Sequence, residues 1–454
     1  MKKIDVVGVG IGPFNLSLAA LINDTELSSV FFDQKPAFDW HQGLMFDSAT
    51  LQVPFMADLV TMVDPMHPMT FLNYLKEKKR LYPFFFKKNF FILRKEYNDY
   101  CQWVAQQLPH CHFGNQVTKI NVVHHQGEDF WVVHSQKNHE KQRVITKNIV
   151  LGVGSSPKYP DCLDDSFIQQ ETVLHSSEYL FKAEKIHSNE RITLVGSGQS
   201  AGEIMLDLLN KGIKNIHWIT KNSGFFPMES TPLAEEHFTP KYIDYFYPLD
   251  ESTKARRIRQ QSFLYKGIST ETLTEIYDVL YANAVDGKPM PSIIPGAELM
   301  QGNIRGDGQQ LHLEFNVIET SKSLSVDTDW LILATGYEAR KTNALVDLSE
   351  YFTCDDQGQL KISREYSLIP RSASTTRKVF VQNAEMHSHG VGAPDLTLGA
   401  YRSAVIANQL METPLYQIEN NRAFTHFGGR KEGSLKDAQH SIAQACMPLE
   451  PFHG

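Results

Sequence analysis

No Cys-x-x-Cys pair occurs among the five cysteines, Cys101, Cys111, Cys162, Cys354 and Cys446. That excludes the dithiol flavin reductases, which relay electrons through two close thiols, and a cysteine-rich metal site. No apolar run approaches the roughly twenty residues that a bilayer-spanning helix needs. Basic charge is in deficit: 44 Lys and Arg stand against 52 Asp and Glu, a formal charge of −8. A nucleic-acid binder usually shows the opposite surplus. Repeats and low-complexity tracts are missing as well. His387-Ser388-His389 has no third ligand nearby, so no metal is expected. Met1-Lys2-Lys3 and the apolar run after it look superficially like a secretion signal, but Gly10, Gly12, Pro13 and Asn15 break the run. The expectation is a cytoplasmic protein without membrane insertion or a nucleic-acid partner.

What the chain does have is two glycine boxes, each after an apolar strand. The first is Gly8-Val9-Gly10-Ile11-Gly12-Pro13, following Ile4-Asp5-Val6-Val7. The second is Gly196-Ser197-Gly198-Gln199-Ser200-Ala201, following Ile192-Thr193-Leu194-Val195. Strand, glycine turn and helix N-terminus together cradle a pyrophosphate, because glycines admit the backbone N–H groups and the helix dipole favours an anion. Two cradles point to two dinucleotides and to electron transfer between them. The residue ending the next strand separates their ligands. Asp33 after the first box accepts ribose hydroxyls and points to FAD, with Lys35 beside it. Lys221 after the second suits a 2′-phosphate and points to NADPH.

At 454 residues the chain exceeds one ordinary core. The pattern predicts an α/β fold of two Rossmann-like dinucleotide-binding domains with a smaller helical substrate-binding insertion. Residues 1–165 and 330–454 form a discontinuous FAD-binding domain. Residues 166–329 form the NADPH-binding domain, with an insertion at about 222–290 that caps the active site. Residues 1–35 read as β-α-β, and 94–108 as a helix with Tyr97, Tyr100, Val104 and Leu108 at helical spacing. Segments 115–124, 129–134 and 143–151 read as strands of a smaller sheet. Phe84-Phe85-Phe86 and Phe90-Phe91 read as core. Lys76-Glu77-Lys78-Lys79-Arg80 reads as a solvated helix end.

A third landmark, Ala334-Thr335-Gly336-Tyr337, follows the two boxes. Trp40-His41-Gln42-Gly43, Leu51-Gln52, Phe71-Leu72-Asn73-Tyr74-Leu75 and His175-Ser176-Ser177-Glu178-Tyr179 accompany them. As an ordered set these resemble the flavin-dependent N-hydroxylating monooxygenases of siderophore biosynthesis, the lysine and ornithine N-monooxygenase family, from residue 1 to about 410. The resemblance implies that NADPH reduces FAD, that O2 adds to give a C4a-hydroperoxyflavin, and that a neutral primary amine takes the distal oxygen. It places Trp40, His41 and Gln52 along the isoalloxazine. Gln199 and Ser200 then bring the nicotinamide near, so Gln52 and Gln199 stand as catalytic candidates. Ala334, Thr335, Gly336 and Tyr337 join the cofactor site, and Asp395 and Leu396 close over the flavin. The partners implied are an amine, O2 and further copies of the chain in a dimer or tetramer.

Members acting on lysine or ornithine usually carry a Lys that holds the substrate α-carboxylate. The matching position here is Ala57. Two Asn positions of those members match Glu235 and Leu264. The pocket loses a cation and two amides and gains an anion. A substrate carboxylate would be repelled there, whereas a second ammonium would be attracted. The favoured substrate is therefore a diamine such as putrescine or cadaverine. Histamine, lysine and ornithine remain alternatives. Baeyer–Villiger or sulfur oxygenation is a further one: His175 and Tyr179 match the end of that fingerprint, but Gln169 and Glu171 replace its Phe and Gly. A non-catalytic FAD-binding protein would need neither Lys221 nor a capping insertion.

Overall fold

The computed structural model describes residues 3–125, 128–306, 310–340, 350–372, 377–418 and 423–429. Cys446 and the end of the polar tail lie outside them. The first half opens with β1 (Lys3–Val9), α1 (Pro13–Leu21) and β2 (Ser29–Asp33). Next come β3 (Thr50–Pro54), α2 (Phe71–Glu77), α3 (Leu81–Lys87), β4 (Phe91–Leu93) and α4 (Arg94–Gln106). A meander follows: β5 (Cys111–Phe113), β6 (Gln116–His125), β7 (Glu128–Lys137), β8 (Glu140–Leu151) and β9 (Ser155–Pro157).

The second half runs through α5 (Asp165–Ile168), β10 (Val173–His175), α6 (Tyr179–Lys182), β11 (Arg191–Val195), α7 (Gln199–Asn210) and β12 (Asn215–Ile219). Four helices come next: α8 (Pro232–Glu235), α9 (Pro240–Phe246), α10 (Glu251–Gln260) and α11 (Thr270–Val285). Then come β13 (Ser292–Ile294), β14 (Ala297–Arg305), β15 (Gln310–Val317), β16 (Lys322–Thr328), β17 (Trp330–Leu333) and β18 (Tyr337–Ala339). The described chain closes with β19 (Lys378–Val381), α12 (Met386–His389) and α13 (Gly399–Leu410).

Two sheets carry the two glycine boxes. The first has the order β5-β2-β1-β8-β7-β6, with β19 also on β8. The second has the order β10-β17-β11-β12-β13, and every pair in it is parallel. Strands of parallel sheets are covered on both faces. Ile192-Thr193-Leu194-Val195 and Trp330-Leu331-Ile332-Leu333 are accordingly buried throughout. Helix α1 is buried on all sides, as a helix without a polar face must be.

Three expectations change. The strands foreseen as a smaller sheet belong to the first sheet, because β8 is long enough to serve two partners. Its Ile145–Leu151 stretch pairs with β1, and Glu140–Thr146 pairs with β7. The return to the first unit does not come at residue 330. Strand β17 is hydrogen-bonded between β10 and β11 in the second sheet. Of the two phenylalanine clusters, Phe84 is half-buried against Phe55 and Phe71, but Phe85, Phe86, Phe90 and Phe91 are exposed.

The stretch 222–290 divides in two. Helix α9 packs through Tyr242 and Phe246 against Gly390 and Val391 of the loop between α12 and α13. Helix α11 packs on α7, where Gly202 admits the side chains of Ile268 and Thr272. Among the described residues no helix is long and apolar enough to cross a membrane.

Candidate active site between two nucleotide cradles

The first cradle is set by Gly10 and Gly12. Gly10 has φ +87°, and a Cβ there would lie 2.3 Å from the Gly152 carbonyl oxygen. Gly12 is the N-cap of α1, and a Cβ there would meet nothing within 4 Å. Open space thus faces the unpaired N–H groups of a helix N-terminus, the arrangement that accepts a pyrophosphate. Where the glycine fingerprint has its third glycine stands Asn15. Its amide donates to the carbonyls of Gly10 (2.8 Å) and Val150 (3.3 Å) and accepts from Gln382 (2.8 Å). Gly8 does not belong to the cradle. It lies within β1, and a Cβ there would strike the Phe31 ring, so its role is packing.

Asp33 ends β2 with its carboxylate turned to this loop. It accepts from the N–H groups of Ile11 (2.7 Å) and Lys35 (2.8 Å). The Lys35 ammonium donates to the Asp39 carbonyl, at the head of the Trp40-His41 segment.

The second cradle repeats the geometry. Gly196 has φ +134°, and a Cβ there would lie 2.3 Å from the Ala334 carbonyl oxygen. Gly198 is the N-cap of α7, again with nothing within 4 Å of a Cβ. The Ser197 hydroxyl receives the Asn222 amide (2.8 Å) and the Thr220 hydroxyl (3.1 Å). Those bonds hold the end of β12 against the glycine turn, so Lys221 starts at the rim. Its exposed ammonium lies 3.4 Å from Glu298. Ser200 sits half-buried in the first turn of α7.

Gln199 is held through both atoms of its side-chain amide. Its carbonyl oxygen accepts from the Ser269 N–H (2.7 Å), and its amide donates to Glu203 (3.0 Å) and Thr272 (3.3 Å). The side chain is thereby engaged with α7 and α11. Behind it, Glu203 pairs with Arg94 through two bonds of 2.8 and 3.1 Å. Arg94 also donates to the Leu44 carbonyl, so the pair joins α7 to the first residue of α4 and to the loop after His41. Sequence reasoning missed this clasp. Its two charges are 109 residues apart, and neither lies in a motif.

Between the cradles runs a row of rings. Trp40 and His41 meet edge-on at 4.5 Å, His41 and Tyr337 at 6.1 Å, and Tyr337 and His175 at 5.1 Å. His41 has a left-handed backbone, with φ 53°. It is open to the cleft yet surrounded by protein. Desolvation, then the charges of Arg94 and Lys35, push its pKa down to about 4, so the imidazole is neutral at pH 7. The Ala334–Tyr337 turn is pinned from below. The Gly336 carbonyl accepts from the Lys158 N–H (3.0 Å) and bonds the His175 ring (2.9 Å), while Thr335 donates to the Lys158 carbonyl. Gln52, on β3, has a buried side-chain nitrogen without a partner in the protein. A buried amide without a partner is costly, and a ligand with an acceptor relieves that cost. The open cradles and this orphaned donor both fit a flavin nucleotide.

The residues assigned to the substrate gather in part. Glu235 ends α8. Burial, and secondarily the Asp395 carboxylate, raise its pKa. Asp395 caps the turn before α13 by accepting from the Thr397 N–H (2.8 Å), and burial raises its pKa as well. Asp395 also flanks Leu396. Leu264 is buried with Tyr242, Phe246 and Val391, next to Ala234 and Phe238. Ala57 is buried in the tight turn after β3. Its neighbour Asp58 pins that turn, accepting from the N–H groups of Val60, Thr61 and Phe71.

This geometry has its counterpart in known proteins. The L-lysine 6-monooxygenase/L-ornithine 5-monooxygenase family model matches residues 2–339. The chain belongs to this family. It is 41% identical to the rhizobactin siderophore biosynthesis protein RhbE of Rhizobium meliloti, over 94% of this chain and 96% of that one. A putrescine N-hydroxylase of Shewanella oneidensis is 39% identical, over 93% of this chain and 84% of its own. The crystal structure of DfoA bound to FAD, the cadaverine monooxygenase of the desferrioxamine pathway in Erwinia amylovora, superposes with a TM-score of 0.89. It is 37% identical and covers 95% of this chain and 100% of its own. The α/β architecture with two Rossmann-like sheets is thus that of this family of monooxygenases.

Proposed function

We propose that the protein N-hydroxylates an aliphatic diamine, putrescine or cadaverine, using FAD, NADPH and O2. The product is the hydroxylamine precursor of a hydroxamate siderophore. The balanced reaction takes amine, O2, NADPH and a proton to hydroxylamine, water and NADP+. The observation that carries the substrate assignment is the half-buried Glu235 carboxyl at the end of α8, whose ionisation the Asp395 carboxyl opposes. Acidic side chains at that place suit the distal ammonium of a diamine and repel the carboxylate of ornithine or lysine.

Bound FAD, reduced by NADPH, supplies the oxygen-activating chemistry. The chain supplies placement and protection. Gly10, Gly12, Pro13 and Asp33 hold the FAD pyrophosphate and ribose, with Lys35 nearby. Gly196, Ser197, Gly198, Ser200 and Lys221 hold NADPH. Trp40, neutral His41, Gln52 and the Ala334–Tyr337 turn line the flavin and keep water out. Gln199 acts as a positioning residue through Ser269, Thr272 and Glu203. Ala57 and Leu264 leave the pocket without a grip on a carboxylate. The FAD-binding unit comprises residues 1–165 together with the C-terminal part of the chain after β17. The NADPH-binding unit spans the intervening residues, with the capping insertion at 222–290. The protein works in the cytoplasm as a dimer or tetramer.

The test is spectroscopic and oxygraphic. NADPH added without oxygen should bleach the FAD band. With oxygen, putrescine or cadaverine should stimulate NADPH-dependent O2 uptake. Bleaching without amine-stimulated uptake would refute the hydroxylase reading.

A further inference from the structure

Five aromatic side chains gather on one face where the sequence predicts core. Tyr82 is 76% exposed, Phe85 71%, Phe86 67% and Phe90 66%, with Phe91 beside them. Helix α3, which carries three of them, buries none of its residues. The face is nonetheless rigidly mounted. Phe84 packs edge-on against Phe55 at 5.4 Å and against Phe71 at 5.7 Å, and Phe90 packs against Phe55 at 5.8 Å. Soluble monomers rarely expose a contiguous apolar patch of this extent without a partner for it.

We propose that this face, centred on α3, is the contact between two copies of the chain. The inference rests on the proposed homo-oligomer and names its surface. Area favours a second copy. At these exposures the five rings alone present roughly 650 Å², taking about 200 Å² for a whole ring side chain. Exposed Leu72, Leu81 and Met56 extend the patch toward the roughly 800 Å² that each partner contributes to a stable interface. Composition agrees, since aromatic and Met residues are the enriched types at interface centres.

The rim is charged. Residues 76–88 look strongly basic in the sequence, but part of that charge is already neutralised. Lys78 lies 3.6 Å from Asp99, and Arg80 lies 3.4 Å from Glu96 and 3.2 Å from Asp99. Lys76, Lys79, Lys87 and Lys88 stand outside these pairs, and the vesicle arm of the experiment separates a protein contact from an anionic lipid surface.

The experiment measures the mass of the FAD-loaded full chain by light scattering across a concentration series. The wild type should be a dimer or a multiple of one. The double variant Phe85→Ser, Phe86→Ser should fall to half that mass while keeping its FAD content and melting temperature, because neither ring packs in the core. Hydroxyl-radical footprinting of the wild type should show Tyr82, Phe85, Phe86 and Phe90 protected at high concentration and labelled on dilution. A monomeric wild type would sink both the oligomer and its surface. An oligomer of unchanged mass in the variant would sink the surface alone. Binding of the wild type to anionic vesicles that the variant loses, with mass unchanged, would likewise overturn the assignment.

Discussion

Gly10 and Gly12 stand two residues apart and should fail in different ways. At Gly10 a side chain meets backbone in a conformation that L-residues rarely adopt, so Gly10→Ala should impair folding. At Gly12 a side chain meets only open space. Gly12→Val should therefore fold, with near-normal circular dichroism, yet purify without its yellow flavin. Glu235 supports a second prediction. Its raised pKa means that the anion is lost as pH falls through that raised value, and the grip on a distal ammonium goes with it. The KM for putrescine should climb on acidification. In Glu235→Gln it should be about tenfold higher at pH 8, equivalent to ~1.4 kcal/mol, and this acidic limb should flatten. Titration of the reacting amine itself would persist in both proteins. Such single-residue roles were partly legible in the sequence. Gly12 and Gly198 act locally, so the motif sufficed for them. Gly8 was misplaced because sequence spacing does not say where β1 ends. The partners of Gln199, Ser269 and Thr272, were not legible because they lie about 70 residues further on.

Elements were read more securely than their company. Helix α4 falls where periodicity puts it. The partners of β8 and β17 were not legible, because pairing is decided by tertiary register and not by the strand's own residues. The exposed face of α3 was missed for a related reason: hydrophobicity tells that a residue seeks cover, not whether the cover comes from its own chain. The link between α7 and α4 has a measurable strength. Glu203 and Arg94 are largely buried, and removing one partner strands the other charge. Glu203→Ala should cost about 3 kcal/mol of stability, read as a lowered melting temperature. It should also free the Gln199 amide, and flavin reduction by saturating NADPH should slow. A variant that melts lower but is reduced at the wild-type rate would confine the clasp to a structural role.

Across the whole molecule, a mixed sheet and a parallel sheet each end a strand in a glycine turn, and the rings of Trp40, His41, Tyr337 and His175 form one row. Glu235 ends α8, and the Asp395 carboxylate opposes its ionisation. The central claim is that this arrangement keeps reduced flavin dry until a diamine, and not an amino acid, takes oxygen from it. The most direct measurement supplies NADPH, O2 and equal concentrations of putrescine and ornithine, then counts hydroxylamine products against NADPH consumed. The account predicts that hydroxylated putrescine dominates and approaches one per NADPH. Preferential hydroxylation of ornithine, or recovery of all the oxygen as hydrogen peroxide with either amine, would contradict it.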